Sequence, residues 1–517
     1  MHGPLAGPLA AAGADHASSS SCPCSVAVIG GGAGGLVTAR MLFAAGLSVD
    51  VFEASSRLGG VWSGSGAAMY PSLRTNLPRE LMGFSDLPFL PDRMGGRSRD
   101  PRRYPGREEV LAYLEAYVDL HGLRPHVRLG ARVKRVQALP LEEGWEVTLA
   151  GAGSRSRRPD RYDAVVVANG HYSVPRYPPG LPLVAQWGRL QVHASGYAGP
   201  APFAGKRVAV VGCGASGADI SAELARGGAA EVHLAGCRCQ GDRDRGGGAG
   251  GVQVALKPRL YGLLQPVGVA YCGDGGGIEK CPDIDAVVYA TGYHMSFPFL
   301  PDLAALAGAD DSAPDDAAAA AVSDNCLPAF EHVFLPRFPS LPFVGLPWKV
   351  VPFPLMELQA HWLAAVLTGR AELPPAGSMA SAASASIPPP SPGPGGDEGG
   401  RRRRHHHHRM EGGEQWDYLA RLSARCGLGI SPGVPNRPGS AAAAADLGRR
   451  ETSDVPARDA WREAGGALRR LAAPWRRQLY EATARARAED GGSYRDGTYG
   501  DQAGPLAAAS EEFGRIA

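Results

Sequence analysis

The chain has 517 residues, 44% of them hydrophobic and 20% charged, with a formal net charge of +2. That length is too great for one small core and implies two or more domains, while the near-neutral balance gives no electrostatic case for nucleic acid or another polyanion as partner. No run of about eighteen apolar residues is present, which argues against a transmembrane segment and for a soluble chain.

Residues 1–24 are rich in Ala, Gly, Pro and Ser and carry no basic residue other than histidine. They read as a disordered tail; a transit peptide would be arginine-rich, so the expected location is cytoplasmic, with organelle targeting the lesser reading. Next comes Val26 to Glu53, VAVIGGGAGGLVTARMLFAAGLSVDVFE. Four apolar residues lead into Gly30, Gly31, Gly32, Ala33, Gly34 and Gly35, a G-x-G-x-x-G arrangement on Gly30, Gly32 and Gly35, followed by a helical period and a second apolar run. Strand, turn, helix and strand in that order form a dinucleotide-binding unit. Gly30 permits the tight turn, Gly32 lets backbone amides approach a pyrophosphate, and Gly35 lets helix pack on strand. Glu53, closing the second strand, suits the hydroxyls of an adenosine ribose.

RLGGVW follows, where Gly59 and Gly60 let backbone come close to a ligand ahead of Val61 and Trp62. Tyr70 to Phe89 is dense in proline and aromatics and reads as a long site-building loop. The period predicts a helix over 104–120 and strands over 127–136, 145–149 and 162–168. A second framed fingerprint begins at Lys206, KRVAVVGCGASGADISAEL, with Gly212, Cys213, Gly214, Ala215, Ser216 and Gly217 as its turn. The strand after its helix ends in Cys237-Arg238 rather than an acid, and arginine pairs with a 2′-phosphate, so this unit should take NADPH. AVVYATG at 286–292 mirrors VVVANG at 165–170, two short strands that would close or link the nucleotide sheets.

Residues 302–324 read as a surface loop, and Met356 to Leu367 as a helix entered after Pro354. Residues 375–413 are low in complexity and include RRRRHHHHR at 401–409. Such a run can hold a metal or a polyanion, but its Pro/Gly/Ser flanks favour a disordered insert. Gln415 to Cys426 reads as a short helix, 431–457 as a linker and 460–488 as a basic helical tail whose Trp461, Trp475 and Tyr480 dock on the body. Nine cysteines, odd in number and without C-x-x-C, suit reduced thiols. The pairs Cys22/Cys24 and Cys237/Cys239 lack nearby histidines at ligand spacing, so no metal site is expected.

In this order VAVIGGGAGGL, LRTNLPRELMGFSDLPF, RRYPGREEVLAYL, DAVVVANGHYSVPR, GKRVAVVGCGASGADIS, DAVVYATGY, VVPFPLMELQAHWLAAVLTGR and WRRQLYEATARARAEDGGSYRD are similar to the flavin-containing monooxygenases. The plant S-oxygenating, glucosinolate S-oxygenase-like branch is the nearest. The resemblance implies an α/β fold of two Rossmann-like domains, the NADP domain inserted in the FAD domain. The expected division is the tail (1–24), the first part of the FAD domain (25–195), the NADP domain (196–285), the second part of the FAD domain (286–374), the insert (375–413) and a helical C-terminal segment with linker (414–517).

It further implies FAD at Gly30 to Gly35, Glu53, Gly60, Val61 and Trp62, and NADPH at Gly212 to Gly217 and Arg238. Thr75 and Asn76 would lie beside the flavin, Asn76 as the catalytic hydrogen-bond donor. The implied reaction is oxygenation of a thioether sulfur or amine nitrogen by O2 through a C4a-hydroperoxyflavin. In the family pattern F-x-G-x-x-x-H-x-x-x-Y/F this chain has Trp187, Arg189, His193 and Tyr197, so arginine stands at a glycine position; His193 reads as a structural residue. Alternatives are a Baeyer-Villiger or auxin-type monooxygenase and a catalytically silent nucleotide-binding protein. A disulfide reductase lacks its cysteine pair.

Overall fold

The computed structural model describes residues 24–64, 69–140, 143–151, 160–178, 187–236, 254–257, 260–263, 268–272, 278–281, 283–307, 325–387, 407–410, 413–427 and 474–490. Arg238, the histidines 405 and 406, and most of the stretches read as linkers lie outside them.

Two parallel sheets carry the architecture. In the first, Val127–Arg128, Ser48–Phe52, Ser25–Ile29 and Ala164–Val167 lie side by side; in the second, the order is Val254–Lys257, Glu231–Ala235, Arg207–Val211, Ala286–Tyr289 and Leu190–His193. The strands VAVI, AVVV and AVVY are β-branched and buried along their length, as strands covered on both faces must be. Each sheet has the same plan. A glycine turn and a twelve-residue helix (Ala33–Ala44 or Ala215–Arg226) lead to the neighbouring strand. A small antiparallel meander follows, and then a last strand returns beside the first.

The AVVYATG strand thus does in the second sheet what VVVANG does in the first, pairing Val208 with Ala286 as Val26 pairs with Ala164. The expected NADP-domain limits of 196–285 fall inside the span of this second sheet. Ala286–Tyr289 belongs to the second sheet as the partner of Arg207–Val211 on the side away from Glu231–Ala235, and Leu190–His193 joins it by pairing with Ala286–Tyr289.

The other departures are local. The helix expected after Pro354 starts at Pro352, since a proline in the first turn forfeits no helical hydrogen bond. Leu303–Ala307 is a helix inside the expected surface loop, burying Leu303 and Ala307. The insert reading of 375–413 fails at both ends. Ala376–Ala385 is a helix with Met379 and Ala383 buried one turn apart, and His407 and His408 are buried in the body. The last described helix, Pro474–Asp490, buries Leu479 and Ala482 and inserts Arg476, whose guanidinium donates to Leu81 O at 3.2 Å.

The helix Pro352–Leu367 covers the first fingerprint helix and fixes the loop beyond Arg79. Glu357, fully buried, accepts from Ser85 N at 2.8 Å and from the Ser85 hydroxyl. Tyr113 OH accepts from Phe84 N at 2.7 Å and donates to Leu87 O at 2.6 Å. Burial first, then the neighbouring Asp86 carboxylate, push the Glu357 carboxyl from 4.5 up to about 8, against the Ser85 hydrogen bonds.

Folding therefore takes up a proton here between about pH 4.5 and 8, and this contribution to stability is lost as pH rises across that window. Glu357→Gln keeps both partners, with the Ser85 hydroxyl reversed to accept. It should raise Tm at pH 8.5 and leave Tm at pH 5 near that of the unsubstituted protein; equal slopes of Tm against pH in the two proteins would assign the effect to another group.

Candidate active site

The two glycine turns are nearly the same object built twice. Gly30 has φ +115° and Gly212 has φ +113°, a left-handed region that only glycine enters freely. A Cβ on Gly30 would lie 2.4 Å from Ala168 O, and one on Gly212 would lie 2.3 Å from Ala290 O, so each turn is pressed against the end of its return strand. Gly35 and Gly217 are tighter still, with a Cβ at 1.8 Å from Gly30 O and 1.7 Å from Gly212 O. Gly32 and Gly214 head the helices as N-caps with no side-chain cap. Their free N–H groups are the donors that a pyrophosphate takes.

The surroundings of the two turns differ. Gly34 lies under Met356 and Val344, and the first turn is largely buried. Cys213, Gly214 and Ser216 are exposed, Ala215 is half-buried, and a Cβ on Gly214 would meet nothing within 4 Å. The closing residues differ as well. Phe52 pairs with Ile29 and Ala235 with Val211, so Glu53 and Gly236 occupy matching positions.

Glu53 is held by Gly31 N–H and Ser55 N–H, both at 2.7 Å, which aims the carboxylate across the turn; its remaining lone pairs suit ribose hydroxyls. Gly236, with φ +112°, puts no acid at that point and leaves room for a 2′-phosphate. Sequence reading missed Gly236 by stopping at Arg238; alignment of the two fingerprints on their glycines would have found it.

Gly59 and Gly60, both at positive φ, bring the turn Gly60–Ser63 against the first fingerprint, where a Cβ on Gly60 would lie 2.9 Å from Gly32 Cα. Val61 and half-buried Trp62 ride on this turn, and Trp62 lines a cleft of about 240 Å³ with Arg107, Leu111 and Glu115. These features fit an extended dinucleotide along the first turn.

The segment from Tyr70 to Arg79 ties the two units together. Tyr70 OH donates to Asp219 at 3.2 Å and Ser72 Oγ to Glu223 at 2.9 Å, both on the second fingerprint helix. Thr75 N–H then donates to Pro105 O at 2.9 Å, and Arg79 donates to Asp100 O at 2.6 Å and pairs with Glu109 on the helix Arg107–Leu120, which packs on the Gly60 turn. Thr75 and Asn76 thus lie on the strap between the two nucleotide units. The Thr75 hydroxyl is buried without a partner among the described residues, while Asn76 is exposed.

A second crevice opens at the end of the return strand Ala164–Val167, lined by Asn169, His171, Phe297, Val344 and Gly345. Burial lowers the His171 imidazole to about 4, against a hydrogen bond to the Gly345 backbone, so it is neutral. Phe297 and the stretch Val344 to Leu346 form its far wall; the 70–89 loop, read as site-building, does not line it, its far end being held by Glu357 of the covering helix and by Tyr113.

His193 is structural, with Nδ1 3.0 Å from Ser195 Oγ and Nε2 3.0 Å from Gly292 O, and burial lowers its pKa. Trp187 fills core beneath the second sheet, and Arg189 turns outward to Asp285 at 3.6 Å, so the altered family pattern leaves the strand Leu190–His193 in register.

Two glycine-cradled units, one closed by an acid and one by glycine, bridged by a common strap, define a two-dinucleotide oxidoreductase. The flavin-binding monooxygenase-like family matches residues 24–241 and 272–387. Flavin-containing monooxygenase FMO GS-OX-like 4 of Arabidopsis thaliana is 37% identical over 375 residues, covering 68% of this chain and 77% of that protein. Among solved structures, S-allyl-L-cysteine S-oxygenase from Allium sativum matches with a TM-score of 0.70 at 31% identity, over 95% of this chain and 99% of the other. Tmm from Pelagibacter sp. strain HTCC7211, at 20% identity, shares the fold with a TM-score of 0.58 over 78% and 85% of the two chains.

The chain belongs to the flavin-binding monooxygenase-like family, and its similarity lies with the plant S-oxygenating branch. It is an NADPH-dependent flavin monooxygenase with FAD and NADP as its cofactors. Among the described residues no helix is long and apolar enough to cross a membrane.

Proposed function

We propose that this chain transfers one atom of O2 to the sulfur of a small thioether, the second atom leaving as water, with NADPH supplying the two electrons. The observation that carries this reading is the strap: it sets Thr75 and Asn76 between a buried, acid-closed dinucleotide site and an exposed, glycine-closed one. FAD, reduced by NADPH, supplies the oxygen activation.

The protein's own groups bind and orient. Gly30 to Gly35, Glu53 and Gly60 to Trp62 hold FAD. Gly212 to Gly217 hold the exchangeable nucleotide, with Arg238 taking its 2′-phosphate and Gly236 leaving space for it. Asn76 offers an amide donor at the reacting face. Sulfur is preferred to nitrogen because the similar S-allyl-L-cysteine S-oxygenase from Allium sativum carries sulfur oxygenation in its name.

Purified protein should be yellow and should oxidise NADPH with O2 uptake that a methyl thioether stimulates, yielding the sulfoxide. Colourless protein that releases no flavin on denaturation would sink the reading. Turnover of a tertiary amine but no thioether would shift it to N-oxygenation, and an ester formed from a ketone would shift it to Baeyer-Villiger chemistry.

A further inference from the structure

We propose that His332, His407 and His408 form a binding site for one borderline divalent cation, with Zn2+ as the ion that three imidazoles suit. One ring nitrogen from each lies within 4.8 Å of the others, and His332 Nδ1 faces His408 Nδ1 at 2.9 Å. Tetrahedral zinc at about 2.0–2.1 Å from each nitrogen sets neighbouring ligand atoms roughly 3.3 Å apart, so side-chain rotations alone close the cluster.

The three rings come from two distant parts of the chain. His332 sits in the tight turn between Phe330 and Phe334, where Glu331 and His332 hold φ +48° and +56°. Non-glycine residues in that region are strained, and such strain clusters at functional sites. The turn is fastened by Tyr418 OH, which donates to Glu331 O at 2.7 Å, and by the Glu331 carboxylate, which pairs with Arg425 at 2.9 Å and with Arg421 at 3.5 Å. His407 and His408 are the last two histidines of the Arg/His run. Trp348 N–H donates to His408 O at 3.0 Å and Met410 N–H donates to Trp348 O at 3.2 Å, which seats them on the body.

His407 carries the argument furthest. Its Nδ1 lies 3.1 Å from Ser386 O, a carbonyl that can only accept, so the proton sits on Nδ1 and Nε2 is a bare lone pair. That Nε2 is buried and makes no hydrogen bond of good geometry among the described residues, though the Leu327 backbone lies beside the ring, and the residue is only 8% exposed. A ring backed by a carbonyl, with its other nitrogen buried and unused, is the arrangement a metal-binding histidine adopts.

Leu327 N–H donates to His408 Nε2 at 3.1 Å, so the proton of that ring lies on Nδ1, shared with His332. On binding, the His408 proton moves from Nδ1 to Nε2 and the ring turns off the Leu327 amide, so that a neutral imidazole offers its Nδ1 lone pair to the cation. A bound ion would clamp the 407–410 segment to the Phe330–Phe334 turn, beside the stretch whose Val344 and Gly345 line the crevice.

The test uses full-length, FAD-loaded protein, stripped with a chelator and titrated with Zn2+ against a chromophoric competitor. We expect one tight equivalent per chain. His332→Asn keeps the left-handed turn, which asparagine tolerates, and removes a ligand outside the histidine run. It should weaken Zn2+ by on the order of a hundredfold, since partners behind ligands alone are worth 10–100-fold. His407→Asn, judged by retained flavin absorbance, should do the same. A double substitution of His405 and His406 to alanine should keep the tight equivalent. Absence of a tight equivalent in the unsubstituted protein, undiminished affinity in His332→Asn, or its loss on changing only His405 and His406 would overturn the site.

Discussion

Gly217→Ala should give a yellow, FAD-loaded protein that NADPH no longer reduces, whereas Gly35→Ala should yield little flavin-loaded protein at all. Both substitutions drive a methyl group into a backbone carbonyl, 1.7 Å from Gly212 O in one case and 1.8 Å from Gly30 O in the other, and a carbonyl in a tight turn has no rotamer by which to give way. The helix must lift from its strand, at about 3 kcal/mol or more.

What differs is where the strain goes. The second turn is exposed at Cys213, Gly214 and Ser216, so its helix can shift locally at the expense of the nucleotide site. The first turn lies beneath Met356 and Val344 within the largest apolar cluster, and displacement there opens the core. Flavin absorbance separates the two variants. Anaerobic mixing with NADPH then shows whether the flavin of Gly217→Ala is reduced, with dithionite as the control; the expected loss in reduction rate is on the order of a hundredfold or more at limiting NADPH. Reduction at the unsubstituted rate would mean that the second fingerprint is not the NADPH site.

The glycine spacings made both fingerprints legible from sequence because each glycine answers to one backbone contact: Gly30 to Ala168 O, Gly35 to Gly30 O, and the same again at Gly212 and Gly217. The paired return strands were legible for the same reason, as short β-branched runs ending at glycine. What joins the two units was not. Tyr70 meets Asp219 across 149 residues and Ser85 meets Glu357 across 272, and no local period records such distances.

The extent of the second sheet was hidden for a related reason. Leu190–His193 is a largely half-buried edge strand whose membership in the second sheet is decided by pairing with Ala286–Tyr289, not by its own composition. The Arg/His run misled in the other direction. Its composition matches a solvated insert, yet His408 is completely buried, because Leu327 N–H, His332 and Trp348 N–H satisfy the polar atoms that composition alone leaves to water.

Asn76→Ala should retain FAD and normal reduction by NADPH but lose oxygenated product, with hydrogen peroxide accounting for the electrons consumed. Asn76 is exposed, so its truncation removes no packing and should leave stability within about 0.5 kcal/mol. Its backbone is nonetheless fixed. The preceding Thr75 is buried and donates through N–H to Pro105 O, and the helix Arg79–Met82 begins three residues on. A small polar side chain on a rigid strap between two nucleotide units is preorganised to donate to whatever reacts there, and such a donor costs no rearrangement at the moment of reaction. With the two dinucleotides covering it, the loss of such a donor costs about 2.7–4 kcal/mol, so product formed per NADPH should fall by roughly a hundredfold. Asn76→Asp tests the chemistry apart from the shape: the carboxylate is nearly isosteric but has no N–H to give, and it should uncouple as the alanine variant does. If the aspartate variant stays coupled, the amide N–H is not the operative group; if both variants stay coupled, the strap positions the two units and Asn76 takes no part in the reaction.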